Sequence, residues 1–324
     1  MDRCRLLAAA LAAAASAFAA SHVAIAETYP SRPIKLVVPF PAGGPLDLVG
    51  RTLTDRMSAS LKQPFVLENR AGAGGNIGTE VVARAAPDGY TLLFVLGTTL
   101  TVNPSLYAKL PFDADADLRP ISIVTASSQM LVVHPSVPVN TVSEFVAFAR
   151  KEPVAYAHAG HGSPGHLVME YFALKAGFRA TPVPYRGNAP LVTDLLAGQV
   201  RAGFVSTAGV IGHVREGRLK GLAISATARS KLAPDVPTVA ESGYPDFKVE
   251  THFVLLAPAG TPDAIAELIE REVRAALKLP EVGAALAAQD IEVVGSTAAE
   301  AKARLTADRA LWAGVVKDAG MQLQ

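Results

Sequence analysis

With 324 residues, half of them hydrophobic, the chain is long enough for about two domains with substantial cores. Its 30 basic and 29 acidic side chains nearly cancel, which argues against a nucleic acid or an anionic membrane as partner. The single cysteine, Cys4, leaves no disulfide framework to expect.

The chain opens with Arg3 and Arg5, runs from Leu6 to Ala20 almost entirely in Ala and Leu, and reaches Ala24-Ile25-Ala26 just before Glu27. A basic start, an apolar stretch and a small-x-small exit predict a Sec-type signal peptide over residues 1–26, cleaved after Ala26, and hence a periplasmic protein. A membrane anchor is the alternative, but the apolar stretch is about 15 residues where a spanning helix needs about 20. Cleavage removes Asp2, Arg3 and Arg5 and leaves 28 basic and 28 acidic side chains. Cys4 leaves too, and thiol chemistry with it.

Beyond Glu27, short runs rich in Val, Ile, Leu and Phe alternate with amphipathic stretches. Ile34 to Phe40 precedes a helical pattern from Asp47 to Leu61, Phe65 to Glu68 precedes one from Ile77 to Ala86, and Tyr90 to Leu96 is a third strand. The scheme resumes with Met130 to Val133, Ser143 to Lys151, Val154 to Ala159, His166 to Ala176, Thr181 to Tyr185, Leu191 to Leu196, Ala202 to Val205 and Leu219 to Ser225. Strand and helix in alternation predict an α/β fold with mainly parallel sheets flanked by helices. Capping boxes at Thr141 to Glu144, Thr238 to Glu241 and Thr297 to Glu300 each predict a helix start, and Thr261-Pro262 predicts another by the cap-then-proline rule. Two long apolar runs far apart in sequence, Pro120 to Val133 and Phe247 to Pro258, suit a chain that crosses between lobes and returns. That gives a discontinuous first lobe, 27–124 with 251–324, and a second lobe, 125–250.

Three glycine-rich turns follow strands and precede helices: Pro39 to Gly44, Arg70 to Gly78 and Gly160 to Gly165. Glycine lets backbone approach a ligand closely, and a helix start offers free N–H groups to an anion. The third turn matches G-x-G-x-x-G, but Tyr185-Arg186-Gly187 stands where a dinucleotide site needs an acidic residue. His158, His161 and His166 lack the fixed spacing of a zinc motif, and Ser163 lacks the glycine two residues before it that a nucleophile elbow requires. Neither a metal, a cofactor nor catalysis is expected. On pattern alone Asp47 reads as an N-cap, Thr98 and Thr99 as a polar turn, and Tyr185 and Arg186 as a strand end.

Segments spread in order over the mature chain resemble the Bug family of periplasmic receptors, the solute-binding components of tripartite tricarboxylate transporters. Among them are Tyr29 to Ile34, Val38 to Asp47, Glu68 to Gly78, Ala86 to Leu92, Val183 to Gly187, Pro234 to Gly243 and Leu256 to Pro262. The resemblance implies a two-lobed periplasmic-binding-protein clamshell with two crossing hinge strands and a small organic carboxylate in the interlobe cleft. It maps the carboxylate contacts onto Phe40, Pro41, Ala42, Gly43 and Gly44, with Asp47 at the following helix. Further contacts map onto Thr98 and Thr99, onto Gly162, Ser163, Pro164 and His166, and onto Tyr185, Arg186 and Gly187. The implied partners are the membrane subunits of such a transporter or a sensor kinase. Three departures stand out: Leu46 where the family has Thr or Ser, His252 where it has Trp, and Val205 where an Asp follows the residue equivalent to Phe204. With Val205 at a cleft edge, a ligand ammonium would have no acceptor, so amino-bearing ligands are expected to bind poorly.

Overall fold

The apolar runs become strands, and the glycine turns become the joints between strand and helix. The computed structural model describes residues 29–321, of which those from Arg32 onward belong to one compact unit. The expected signal peptide, residues 1–26, lies outside the described residues.

The first part runs β1 (Ile34–Val38), α1 (Pro45–Leu61), β2 (Phe65–Asn69), α2 (Asn76–Ala83) and β3 (Thr91–Leu96). Two short helices follow, α3 (Gly97–Thr101) and α4 (Asn103–Leu106), and then β4 (Leu118–Ser127). After β4 come β5 (Gln129–Val133), α5 (Val142–Lys151), β6 (Val154–His158), α6 (Pro164–Ala176), β7 (Ala180–Pro184) and α7 (Asn188–Leu196). The central part closes with β8 (Ala202–Ser206), α8 (Thr207–Arg215) and β9 (Lys220–Ile224). The last part holds β10 (Thr251–Pro258), α9 (Asp263–Leu277), α10 (Pro280–Ala287), β11 (Ile291–Val293) and α11 (Ala298–Asp318). Among the described residues no helix is long and apolar enough to cross a membrane.

One sheet has the order β11-β4-β10-β3-β1-β2, the other β7-β6-β8-β5-β9. Parallel pairing holds where β-α-β units follow one another, at β2-β1-β3 and at β7-β6-β8. The crossing strands add antiparallel pairs: β10 with β3 and β4, and β5 with β8 and β9. Both sheets are therefore mixed. The sequence pattern missed this because a buried strand reads as apolar whichever way it runs.

The chain changes sheets within one residue, Ser128, between β4 and β5. It returns beside its outward path, since Thr251 at the start of β10 pairs with Ser127 at the end of β4. Just before that return, Phe247 and Val249 still pack with Tyr156, Phe172 and Phe204 in the core of the second sheet. All eight residues of β10 are buried.

The helix starts were only partly legible. Thr297 forms a complete capping box with Glu300. The Thr238 box also forms, with Glu241 N–H donating to Thr238 Oγ1 and Thr238 N–H to the Glu241 carboxylate, yet no helix follows. Gly243, at φ +104°, and Pro245 break the backbone after a single turn. Helix α9 begins with Pro262 itself at the N-cap, and the buried Thr261 hydroxyl has no partner among the described residues.

His252, on β10, is buried and lies 3.2 Å from Asp308 and 3.8 Å from Glu250, with Arg304 bonded to the far oxygen of Asp308. Burial opposes its charge, but the two carboxylates outweigh burial and hold its pKa above the ordinary imidazole value. A raised folded-state pKa stabilises fully below the unfolded value of about 6.5, and that contribution is lost as pH rises through the folded value. The stability difference between the wild type and His252→Gln should therefore shrink as urea midpoints are followed from about pH 6 to about pH 9. A difference independent of pH would refute a charged His252.

Candidate functional site

Parallel strands direct the loops at their carboxyl ends to the same edge of a sheet, where open α/β sheets bind ligands. In the first sheet that edge gathers the loops after β1, β2 and β3, and in the second those after β6, β7 and β8. The two sets approach each other at Gly162 of the loop after β6, where an added Cβ would lie 2.9 Å from Leu106 of α4.

In the first set, Pro41, Ala42 and Gly43 are exposed and Phe40 and Gly44 half-buried. Gly43 has φ +84°, a conformation that favours glycine, and open space lies where its Cβ would be. Helix α1 begins at Pro45 with no side chain capping Gly44, so N–H groups of its first turn stay available to a ligand. Asp47 is buried, and its carboxylate turns inward. It accepts hydrogen bonds from Gly43 N–H at 3.0 Å, Asn69 Nδ2 at 3.0 Å and Arg51 Nε at 2.9 Å. Asn69 Nδ2 also donates to the Phe40 carbonyl. Burial works against the Asp47 charge, but Arg51, Gly43 and Asn69 outweigh it and hold the pKa below the usual carboxylate value. Asp47 therefore fixes the shape of the loop.

The loop after β2 braces this one. A Cβ on Gly75 would lie 2.7 Å from Thr99 Oγ1 and 3.3 Å from the Phe40 ring. Thr99 is buried and its hydroxyl donates to the Gly74 carbonyl at 2.9 Å. Its neighbour Thr98 is half-buried, with a hydroxyl that makes no hydrogen bond among the described residues. The two threonines, paired in the sequence reading, thus do different things.

In the second set, Gly162 N–H donates to His166 Nδ1 at 3.2 Å, which leaves the proton of that ring on Nε2. His158 Nδ1 lies 2.8 Å from the Gly160 carbonyl, so Nδ1 carries the proton and the buried Nε2 is an acceptor with no partner among the described residues. The two rings stack with centroids 4.2 Å apart and planes within 13°. Ring nitrogens in stacked, parallel planes do not converge on one ion, and among the described residues no cluster suited to a metal occurs. Burial, reinforced by His158 and His161, pushes the pKa of His166 down to about 3, and burial also lowers that of His158. The stack is neutral at ordinary pH.

Ser163 is the N-cap of α6, but its hydroxyl does not cap; it is buried without a partner among the described residues, with Pro164 next at the helix start. The third glycine of the turn, Gly165, has a steric reason the sequence did not disclose: a Cβ there would sit 2.1 Å from the Phe204 carbonyl oxygen. After β7, the Tyr185 hydroxyl donates to Asp194 at 2.7 Å and its pKa is pushed up to about 12, first by burial and then by Asp194. Arg186 is exposed and has no ion pair among the described residues, and Gly187, at φ +105°, starts α7 without a side-chain cap.

Val205 requires a correction. Its side chain is buried with Met130, Val132, Ala157, Val210 and Ile224, while Phe204 points into the core on the other side of the strand. Val205 is core, not cleft edge, and the argument against amino-bearing ligands loses its basis. Arg51, Asn69 and Gly165 were missed as supporting residues, although Arg51 stands four residues after Asp47 on one helix, Asn69 ends a strand and Gly165 closes the third glycine turn.

The sequence profile described as tripartite tricarboxylate transporter family receptor matches residues 49–321. Protein BugT of Bordetella pertussis (strain Tohama I) is 40% identical over 302 residues, 92% of this chain and 93% of that one. Among solved structures, R. palustris Rpa4515 with adipate is 31% identical with a TM-score of 0.81, covering 91% of this chain and 100% of that chain. MatC from Rhodopseudomonas palustris with bound malate is 32% identical with a TM-score of 0.77, covering 89% and 100%.

Two substitutions test the supporting contacts. Gly165→Ala should cost roughly 3 kcal/mol or more in chemical denaturation, because the added carbon meets backbone that cannot step aside. Asp47→Asn should cost about 1 to 3 kcal/mol, since an amide cannot accept from all three donors. Wild-type midpoints for both variants would remove these contacts from the account.

Proposed function

The chain belongs to the tripartite tricarboxylate transporter receptor family, and on that premise we propose that it is exported to the periplasm and captures a small organic carboxylate between its lobes. The observation that carries this reading is the exposed loop Phe40 to Gly44 ahead of the uncapped start of α1. A helix N-terminus attracts an anion by roughly 0.3 to 1 kcal/mol when exposed and up to about 2 when partly buried. The far end of the ligand meets Arg186, the Nε2–H of His166 and the Ser163 hydroxyl. These are groups for recognition, and no nucleophile, base and orienting acid stand together among them. The relatives solved with adipate and malate support a carboxylate as ligand.

In this reading the lobes are residues 27–124 with 251–324 and residues 125–250, and they close by bending at the paired crossings. The closed receptor then docks on the membrane subunits of a tripartite transporter. The exported chain should begin at Glu27, which the intact mass of periplasmic protein checks; a chain retaining Cys4 would refute cleavage at Ala26.

The binding test uses a thermal-shift panel of carboxylates that includes adipate and malate. A ligand at 100 times its Kd should stabilise the wild type by about 2.7 kcal/mol. Gly43→Val should abolish that shift, because the new side chain occupies the open space in front of the loop. Backbone strain of about 1 to 2 kcal/mol accompanies valine at positive φ. Gly217→Val, at φ +69° with equally open surroundings but after α8, controls for strain alone. Undiminished ligand shifts in Gly43→Val would move the carboxylate site elsewhere.

A further inference from the structure

At the paired crossings lies a cavity of about 440 Å³ whose lining includes no residue of the three glycine turns. Ser128 of the outward crossing, Glu250 at the return, Ser230 of the loop after β9 and Asp290 just before β11 all line it. Asp290 is its polar centre, accepting hydrogen bonds from Ser230 and, at 3.3 Å, from Ser128. It forms no ion pair among the described residues, and burial, only partly opposed by the two serines, raises its pKa. The other charges on the wall are largely accounted for. Arg229 is bound to Glu241, Glu250 faces His252, and Lys231 stands exposed without pairing to Asp290.

An unpaired carboxylate at the edge of water carries a desolvation cost that an ammonium would relieve. Much of the remaining wall is small and apolar, with Ala126, Ala226, Ala287 and Ile291, and so suits a short hydrocarbon body. An anion would meet Asp290 with like charge. A calcium ion needs six to eight converging oxygens, and among the described residues no cluster of carboxylates suited to a metal occurs. We propose that this cavity is a second binding site, for a small primary ammonium with a short apolar body, with Asp290 as its counter-ion. It is separate from the carboxylate loops and independent of the transport reading.

The test is isothermal titration calorimetry of the full chain with n-butylammonium chloride, with n-butanol as the neutral match, in the absence of any carboxylate ligand. Saturable binding of the ammonium is expected, with the alcohol weaker by about tenfold or more, the value of one charge-assisted hydrogen bond. Asp290→Asn should weaken the ammonium by a similar factor. Should that variant fold poorly, Ala287→Leu supplies a second reading, since it fills the cavity from an exposed helical position and leaves Asp290 and its serines in place. Loss of binding in Ala287→Leu supports the site. No saturable binding to the wild type, equal binding of butanol, or wild-type affinity in the folded variants overturns it.

Discussion

The pairing of β10 with β4 is the contact on which the rest of the architecture depends. β4 carries the chain out of the first sheet and β10 brings it back, and the two lie side by side with Thr251 opposite Ser127. A strand that returns antiparallel beside its own outward path must enter the interior of the first sheet, between β3 and β4, and must be apolar on both faces. Its burial ties strands from both ends of the described chain into one sheet, while the chain between them builds the second sheet.

The recognition loops use little formal charge. The anion-facing loop after β1 is backed by a carboxylate, Asp47, which would repel an anion if it faced the same way. It does not, because Gly43 N–H, Asn69 and Arg51 hold it toward the interior, and Arg51 balances its charge. What the loop leaves uncommitted is backbone N–H and the dipole of α1, whose attraction for an anion is modest per contact but requires no long side chain to be ordered. In the loop after β6, burial first of all disfavours a proton on both stacked histidines, and His158 adds to that effect at His166. The charge on that side is the exposed Arg186.

Alternation of strand and helix, the apolar crossings and the glycine turns were all legible in the sequence, because each follows from local pattern: period, length and the need for unusual φ. Strand direction was not, since apolar composition carries no arrow. The Thr238 box shows a further limit of local reading, as both of its hydrogen bonds form while Gly243 and Pro245 keep the helix from growing. Asp47, Thr99 and Tyr185 were read as ligand contacts from a resemblance, yet each has its polar group committed to a neighbour, Asp47 to Gly43 and Arg51, Thr99 to Gly74, Tyr185 to Asp194. Sequence similarity marks positions where a polar group is needed and does not say whether the ligand or the loop needs it.

Val205 makes the same point for apolar residues and explains why the loops, and not the strands, carry recognition. Along β8, Phe204 and Val205 point to opposite faces, and each face is covered, one by the aromatic cluster of Phe172 and Phe247, the other by Met130, Val210 and Ile224. A strand covered on both faces can offer a ligand only its carboxyl end, where the backbone leaves the sheet. An acidic side chain at position 205 in this packing would have to be buried among aliphatic carbons or turn the end of the strand outward. An Asp at this position would therefore change how the end of β8 is anchored before it changed any ligand preference. Ser206 and Thr207, one step further along, are the positions from which this strand can address the cleft, and Thr207 is already hydrogen-bonded to Ser128 at the crossing. The end of β8 and the residue at which the chain changes sheets thus share one hydrogen bond.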